Sequence, residues 1–233
     1  YLDRARGRPN LDVVAEAAVV SLQIAGRRVE GVVYEQAGQV HAVTGGQVVL
    51  SAGVYHSPQI MLLSGIGPAT ELERLGIKVV HAMDGVGENY QDHAVVFMTF
   101  EGTGQAREEA VVPAFRLFIK SQPDHPCADF HIITRPPTEV PGLKRMLPIS
   151  AHLLEQRNRG RVSLESTDPQ ALPAIDCRML EDPGDVEAMH SAMQFIADLA
   201  EGGSMKDYYG PLLQPGPNDD WRRYAKSTFD SYH

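Results

Sequence analysis

Residues 51–53, Ser-Ala-Gly, separate an apolar run, Val48-Val49-Leu50, from Val54-Tyr55-His56-Ser57-Pro58. Small side chains at a turn let the backbone come close to a ligand. A helix start offers unpaired N–H groups to an anion, and Ser57-Pro58 reads as a cap followed by a first helical position. These features suit a nucleotide or a pyrophosphate; a tight strand-to-helix packing turn uses the same residues and is the commoner case. A second polar run, Gly87–His93, carries Asn89, Asp92 and His93, which either order a loop over a ligand or bond within their own turn. His131 and His152 fall in strand-like segments, where a histidine is more often a satisfied core or surface residue than a catalytic base. Phe115, Phe118, Phe130 and Met146 can line a pocket, with core packing as the default. His56 reads as solvent or loop.

The elements that must position these groups follow from periodicity. Leu11–Val14, Val19–Ile24 and Val29–Tyr34 read as strands. His41–Val43 and Gln47–Leu50 flank Gly45-Gly46 as a hairpin, so Val48-Val49-Leu50 is expected to be a buried strand. Gln59–Leu63 predicts a short apolar helix stopped by Gly65 and Gly67. Ala69–Leu75 predicts a second helix and Lys78–His81 a further strand. Val95–Phe100, Phe115–Ile119, Phe130–Thr134, Ile149–Leu154 and Arg161–Leu164 are strand-like with few helices between them, which predicts an antiparallel sheet. Val186, Met189, Met193, Ile196, Ala197 and Ala200 recur at helical spacing after Asp182 or Asp185 as a cap.

Composition narrows the function classes. The chain has 233 residues, 43% hydrophobic and 22% charged, with net charge −9. That charge disfavours nucleic acid and anionic membrane as partners. There is no apolar run long enough for a membrane span and no basic-then-apolar leader; a cytoplasmic location is the expectation. Cys127 and Cys177 form no CxxC pair and no ligand-spaced set with histidine, so no metal site is expected. They read as two buried free thiols, with one disulfide as the alternative. The chain opens on Tyr1-Leu2-Asp3 rather than Met, which suggests that its true beginning lies upstream.

The run from Gly53 to Gly67 resembles the second signature of the glucose–methanol–choline oxidoreductases, in which a small residue precedes Ser-Pro, two aliphatics and Ser-Gly-x-Gly. Gly53, Ser57, Pro58, Met61, Leu62, Ser64, Gly65 and Gly67 stand at its anchors. Tyr1-Leu2 with Arg8-Pro9-Asn10-Leu11 is similar to the family's strand entry. Val86–His93 is similar to its Val-Gly-x-Asn-Leu-x-Asp-His element, with Tyr90 at the usual Leu. Arg159-Gly160-Arg161-Val162, then Asp168-Pro169 and Pro173, resembles its substrate-domain pattern, with Asn158 at the common Ser. Leu180–Asp185 resembles the lead-in to that domain's helix.

The resemblance implies an α+β fold: part of an FAD-binding domain over residues 1–93, a substrate domain over 94–200 with an antiparallel sheet of about six strands flanked by helices, and a return segment over 201–233. It implies FAD as cofactor and a small-molecule alcohol as substrate, oxidised by hydride transfer with a histidine as general base. His233 is that base or the residue just before it, since some members read His-His-Pro. Val19 corresponds to a position whose backbone meets the adenine, and Ser51, Ala52 and Gly53 to a turn near the ribose. Asn89, Asp92 and His93 correspond to a loop over the flavin. The family's Gly-x-Gly-x-x-Gly turn is not in these 233 residues, so the missing FAD segment is expected as a further partner, separate or disordered. The chain alone is then expected to be inactive. The alternatives are a truncated or split chain serving as a substrate or interaction module, and another flavin or nucleotide enzyme.

Overall fold

The computed structural model describes residues 2–104, 106, 114–139 and 145–231. In chain order the elements are α1 (Leu2–Ala5), β1 (Ala18–Ala25), β2 (Arg28–Gln36), β3 (Gln39–Thr44), α2 (Gly53–Leu63), β4 (Ile66–Gly67), α3 (Ala69–Arg74), β5 (His81–Ala82) and β6 (Glu88–Tyr90). Then follow β7 (Ala94–Gly102), β8 (Arg116–Ile119), β9 (Phe130–Thr134), β10 (Met146–Leu153), β11 (Gly160–Ser163) and β12 (Ala174–Asp176). The last are α4 (Pro183–Glu201), a 3₁₀ turn (Met205–Asp207), β13 (Tyr209–Gln214), α5 (Trp221–Thr228) and β14 (Asp230–Ser231). The chain divides into two units: residues through Tyr90 with Arg161–Asp176, and Gln91–Gly160 with the remainder from Cys177. No helix among the described residues is long and apolar enough to cross a membrane.

In the first unit, β1, β2 and β3 form an antiparallel meander. A separate small sheet, in the order β12-β11-β6, joins the Val-Gly-x-Asn run to the distant Arg-Gly-Arg-Val run. The Val162 N–H donates to the Gly87 carbonyl at 2.7 Å. A Cβ on Gly87 would stand 2.1 Å from the Val162 carbonyl, and φ there is +84°, so only glycine permits this approach. Residues 161–176 thus pack with the first unit, although they follow the 94–160 stretch in sequence. Leu62, Leu72, Val86 and Leu164 make this unit's small core.

The second unit is built on the sheet β13-β7-β10-β9-β8, with β14 also pairing β7, and every pair is antiparallel. Strand alternation gives the sheet two faces. Ala94, Val96, Met98, Phe100, Leu147, Ile149, Ala151, Leu153, Phe130 and Ile132 bury one face completely or nearly so. That face joins one core with Val186, Met189, Met193 and Ile196 of α4 and Ala225 of α5. Asp182 caps α4 by accepting from the Gly184 and Asp185 N–H groups, and Pro183 follows at the first helical position.

Three element expectations need correction. Leu11–Val14 forms no strand; its apolar residues find no partner edge and Val13 and Val14 stay exposed. Gln47–Leu50 is not a strand either, and Val49 is 80% exposed; alternation alone cannot supply the neighbour a strand needs. Lys78–His81 shrinks to His81–Ala82, paired in parallel with Ile66–Gly67. Cys127 and Cys177 are free, as expected, but neither is buried: Cys127 is exposed and Cys177 half-buried.

Candidate functional site

Helix α2 begins at Gly53, five residues before the first helical position, Pro58, that the sequence suggests, and Pro58 lies inside it. The Ser57 hydroxyl explains the difference: it accepts the Ala52 N–H at 3.0 Å and closes the turn from within the helix. Gly53 has φ +85°, and a Cβ there would meet nothing within 4 Å, so open space lies beside the first helical residue. Ala52, at the cap position, makes no side-chain cap bond. Free donors and open space at one helix start suit a polar ligand group.

Two clefts meet at this turn. One, of about 600 Å³, is lined by Val19, Val32, Val43, Val49, Ser51 and Ala52 among others. The second, of about 370 Å³, is lined by Val19, Ala52, His56, Gln59 and Ala171 among others. Val19, Ser51 and Ala52 line the larger cleft together, and Gly53 follows them as the first residue of α2. Both clefts are largely apolar, as a flat heteroaromatic ring would require. His56 is a residue that sequence reasoning assigned to loop or solvent; it lies in α2, exposed, and its Nδ1 is 2.7 Å from Gln59 Oε1. Gln59 is buried and its Nε2 donates to the Ala171 carbonyl at 2.8 Å, which holds the far wall of the smaller cleft. The i, i+3 spacing of His56 and Gln59 was the available signal.

The other motif residues serve the scaffold. Ser64 Oγ accepts the Leu22 N–H at 2.8 Å and donates to the Ile60 carbonyl at 2.5 Å, tying α2 to β1. Gly65 has φ +80°, and a Cβ there would stand 2.3 Å from the Lys78 carbonyl. At Gly67 a Cβ would stand 2.4 Å from Leu62 Cδ2. The Ser-Gly-x-Gly pattern is thus a packing device at the end of α2.

The Gly87–His93 run is divided between the units. Asn89 belongs to the first, with φ +66°. Asp92 and His93 belong to the second. Asp92 is 9% exposed; its Oδ1 accepts the His93 N–H at 2.7 Å and its Oδ2 accepts the Ser231 hydroxyl. His233 lies outside the described residues.

The sheet face opposite the helices in the second unit differs from its apolar partner. His131 pairs with His152 across β9 and β10, and Phe118 with His131 across β8 and β9. The Phe118 ring stacks on His131 at 4.4 Å between centroids, and the two imidazoles are 5.6 Å apart. His152 Nε2 is 2.8 Å from Ser150 Oγ, and Arg135 Nε donates to the same oxygen at 3.1 Å. Burial, then Arg135, His131 and His93, lower the His152 pKa to about 4. Burial, then Arg116 and Arg135, lower that of His131. Both shifts favour the neutral imidazole. Phe118 is 66% exposed and Phe97 37% exposed, so this face presents rings as well as polar atoms. Phe130, by contrast, is fully buried on the helix side. His152 is bonded to Ser150 through Nε2, and its ring, like that of His131, is part of this face.

Residues 1–95 match the N-terminal model of the GMC oxidoreductases and residues 156–233 the C-terminal one. The chain is 32% identical to oxygen-dependent choline dehydrogenase 1 of Chromohalobacter salexigens, over 94% of this chain and 44% of that protein. It is 29% identical to alcohol dehydrogenase [acceptor] of Pseudomonas putida, over 93% of this chain and 45% of that protein. Its fold superposes on pyridoxine 4-oxidase from Mesorbium loti with a TM-score of 0.87 at 19% identity, covering 99% of this chain and 48% of that one. The chain spans just under half the length of the curated relatives it matches. Two models of one family, matched over residues 1–95 and 156–233, establish that the chain belongs to the GMC oxidoreductases.

Proposed function

We propose that the full-length protein oxidises an alcohol to an aldehyde or ketone by hydride transfer to FAD, and that this chain supplies part of the cofactor cleft and the substrate sheet. The observation that carries the reading is the turn at Ser51-Ala52-Gly53, where open space, φ +85° at Gly53 and two apolar clefts sharing Val19 and Ala52 fit a dinucleotide's sugar and ring. Val19, Ser51, Ala52 and Gly53 would hold that part of FAD, and Asn89, Asp92 and His93 would order the loop over it. Residues 1–93 then belong to the cofactor part, 94–200 to the substrate part and 201–233 to the return toward the base, with 161–176 packed in the first unit. FAD, when bound, supplies the two-electron acceptor.

The protein's own residues handle the proton and the substrate's position. His233 takes the hydroxyl proton as general base, which makes the hydride on the adjoining carbon easier to release. The His131–His152 pair and the rings of Phe97 and Phe118 offer a face that is partly polar and partly aromatic. That suits an alcohol whose hydroxyl is polar and whose body is not.

The test is the visible spectrum of the full-length protein after gel filtration, followed by an alcohol turnover assay. Retained flavin absorbance and alcohol-dependent bleaching under anaerobic conditions support the reading; a colourless protein with no alcohol turnover rejects it. His233→Ala should lower kcat by about 10²–10⁴-fold while leaving flavin retention intact.

A further inference from the structure

The second unit holds a cavity of about 420 Å³ at one end of its large sheet, lined by Phe115, Arg116, Thr134, Pro136, Pro137 and Tyr209 among others. Strand β8 begins here and β9 ends here, and β13 opens with Tyr209 opposite Gly102, the last residue of β7. Strand β14 pairs at the other end of β7. The near wall is fixed: the Phe115 N–H donates to Thr134 Oγ1 at 2.9 Å, and the Phe115 ring packs against the core. Pro136 and Pro137 add apolar wall without backbone donors.

Two polar groups at this cavity are not used by the fold. Tyr209 is 4% exposed, with its ring edge-on to Phe100 at 5.7 Å. Its hydroxyl makes no hydrogen bond among the described residues, and burial alone pushes its pKa up to about 12. The group is therefore a donor at neutral pH. A buried tyrosine hydroxyl ordinarily finds a partner, because leaving it bare costs free energy. Arg116 is exposed on the first residue of β8 and makes no ion pair among the described residues. Its guanidinium is charged at any working pH.

We propose that this cavity binds a small organic carboxylate: the Tyr209 hydroxyl donates to it, Arg116 balances its charge, and Phe115 with the two prolines takes its apolar body. An inorganic anion would leave that apolar wall wet. A neutral molecule of the same shape would leave Arg116 without a counter-charge. The volume is that of a small-molecule site. The site uses none of the residues assigned above to the cofactor or to the alcohol, so it stands or falls apart from the alcohol-oxidation reading.

The experiment is calorimetric titration of the full-length protein with benzoate, and with benzamide as its uncharged counterpart. Benzoate should bind, and benzamide should bind at least about tenfold more weakly. Tyr209→Phe and Arg116→Gln should each weaken benzoate by about fivefold to a hundredfold. The Tm of ligand-free Tyr209→Phe should equal that of the wild type or exceed it, because the lost hydroxyl has no partner in the fold. Absence of benzoate binding overturns the proposal, as does equal binding of benzoate and benzamide. Unchanged benzoate affinity in both variants places the ligand elsewhere and also overturns it. A lowered Tm in Tyr209→Phe shows that the hydroxyl serves the fold, with the same consequence.

Discussion

Two histidines share one face of the sheet, and their surroundings push both toward the neutral form. His152 is 1% exposed and bonded to Ser150, with Arg135 close by, so its charged form is disfavoured and its pKa falls to about 4. The unfolded chain binds the proton near the ordinary value of about 6.5. Between those values the unfolded state carries more protons, so stability is full above about pH 6.5 and declines as pH falls toward 4. Urea unfolding at pH 7.5 and pH 5 should show a lower midpoint at pH 5, and His152→Gln should flatten that difference. NMR titration should find the His152 ring neutral across pH 5.5–8. Neither shift is legible in the sequence, where both residues sit in ordinary alternating strands. Ser64 is a similar case: its motif marks it, but only the fold reveals its bond to Leu22.

At the scale of elements, caps and glycines account for where segments start and stop. Asp182 accepts two N–H groups at the head of α4, so Asp182→Ala should cost about 1 kcal/mol in chemical denaturation. Gly65 combines a positive φ with a carbonyl 2.3 Å from where a Cβ would lie. Gly65→Ala should therefore cost at least about 2 kcal/mol, since strain and a backbone clash add. The helix α4 and the strand at Phe130–Thr134 are readable because their periodicity matches a buried side. The start of α2 is not, because a serine inside the helix caps the turn ahead of it. Val48-Val49-Leu50 has strand composition and no strand, because pairing needs a neighbouring edge that local sequence does not name.

For the whole molecule, the second unit's stability rests on one apolar sheet face closed by α4 and α5. Ile196 is fully buried there, so Ile196→Ala should cost about 2–5 kcal/mol and be read as a lowered Tm. The first unit has a much smaller core of Leu62, Leu72, Val86 and Leu164. Its cleft turn is consequently expected to exchange amide protons faster than β7 and β10.

The sequence by itself determined the family, through the Gly53–Gly67 signature, and with it the α+β class, the antiparallel sheet and the α4 helix. These follow from local patterns: residue spacing, caps and period. Tertiary structure alone decided that 161–176 folds with the first unit, that Gly87 must be glycine because Val162 lies against it, and that Asp92 meets Ser231 from 139 residues away. Contacts of that separation depend on how strands pair across the sheet, and no local propensity encodes which edge a strand will find.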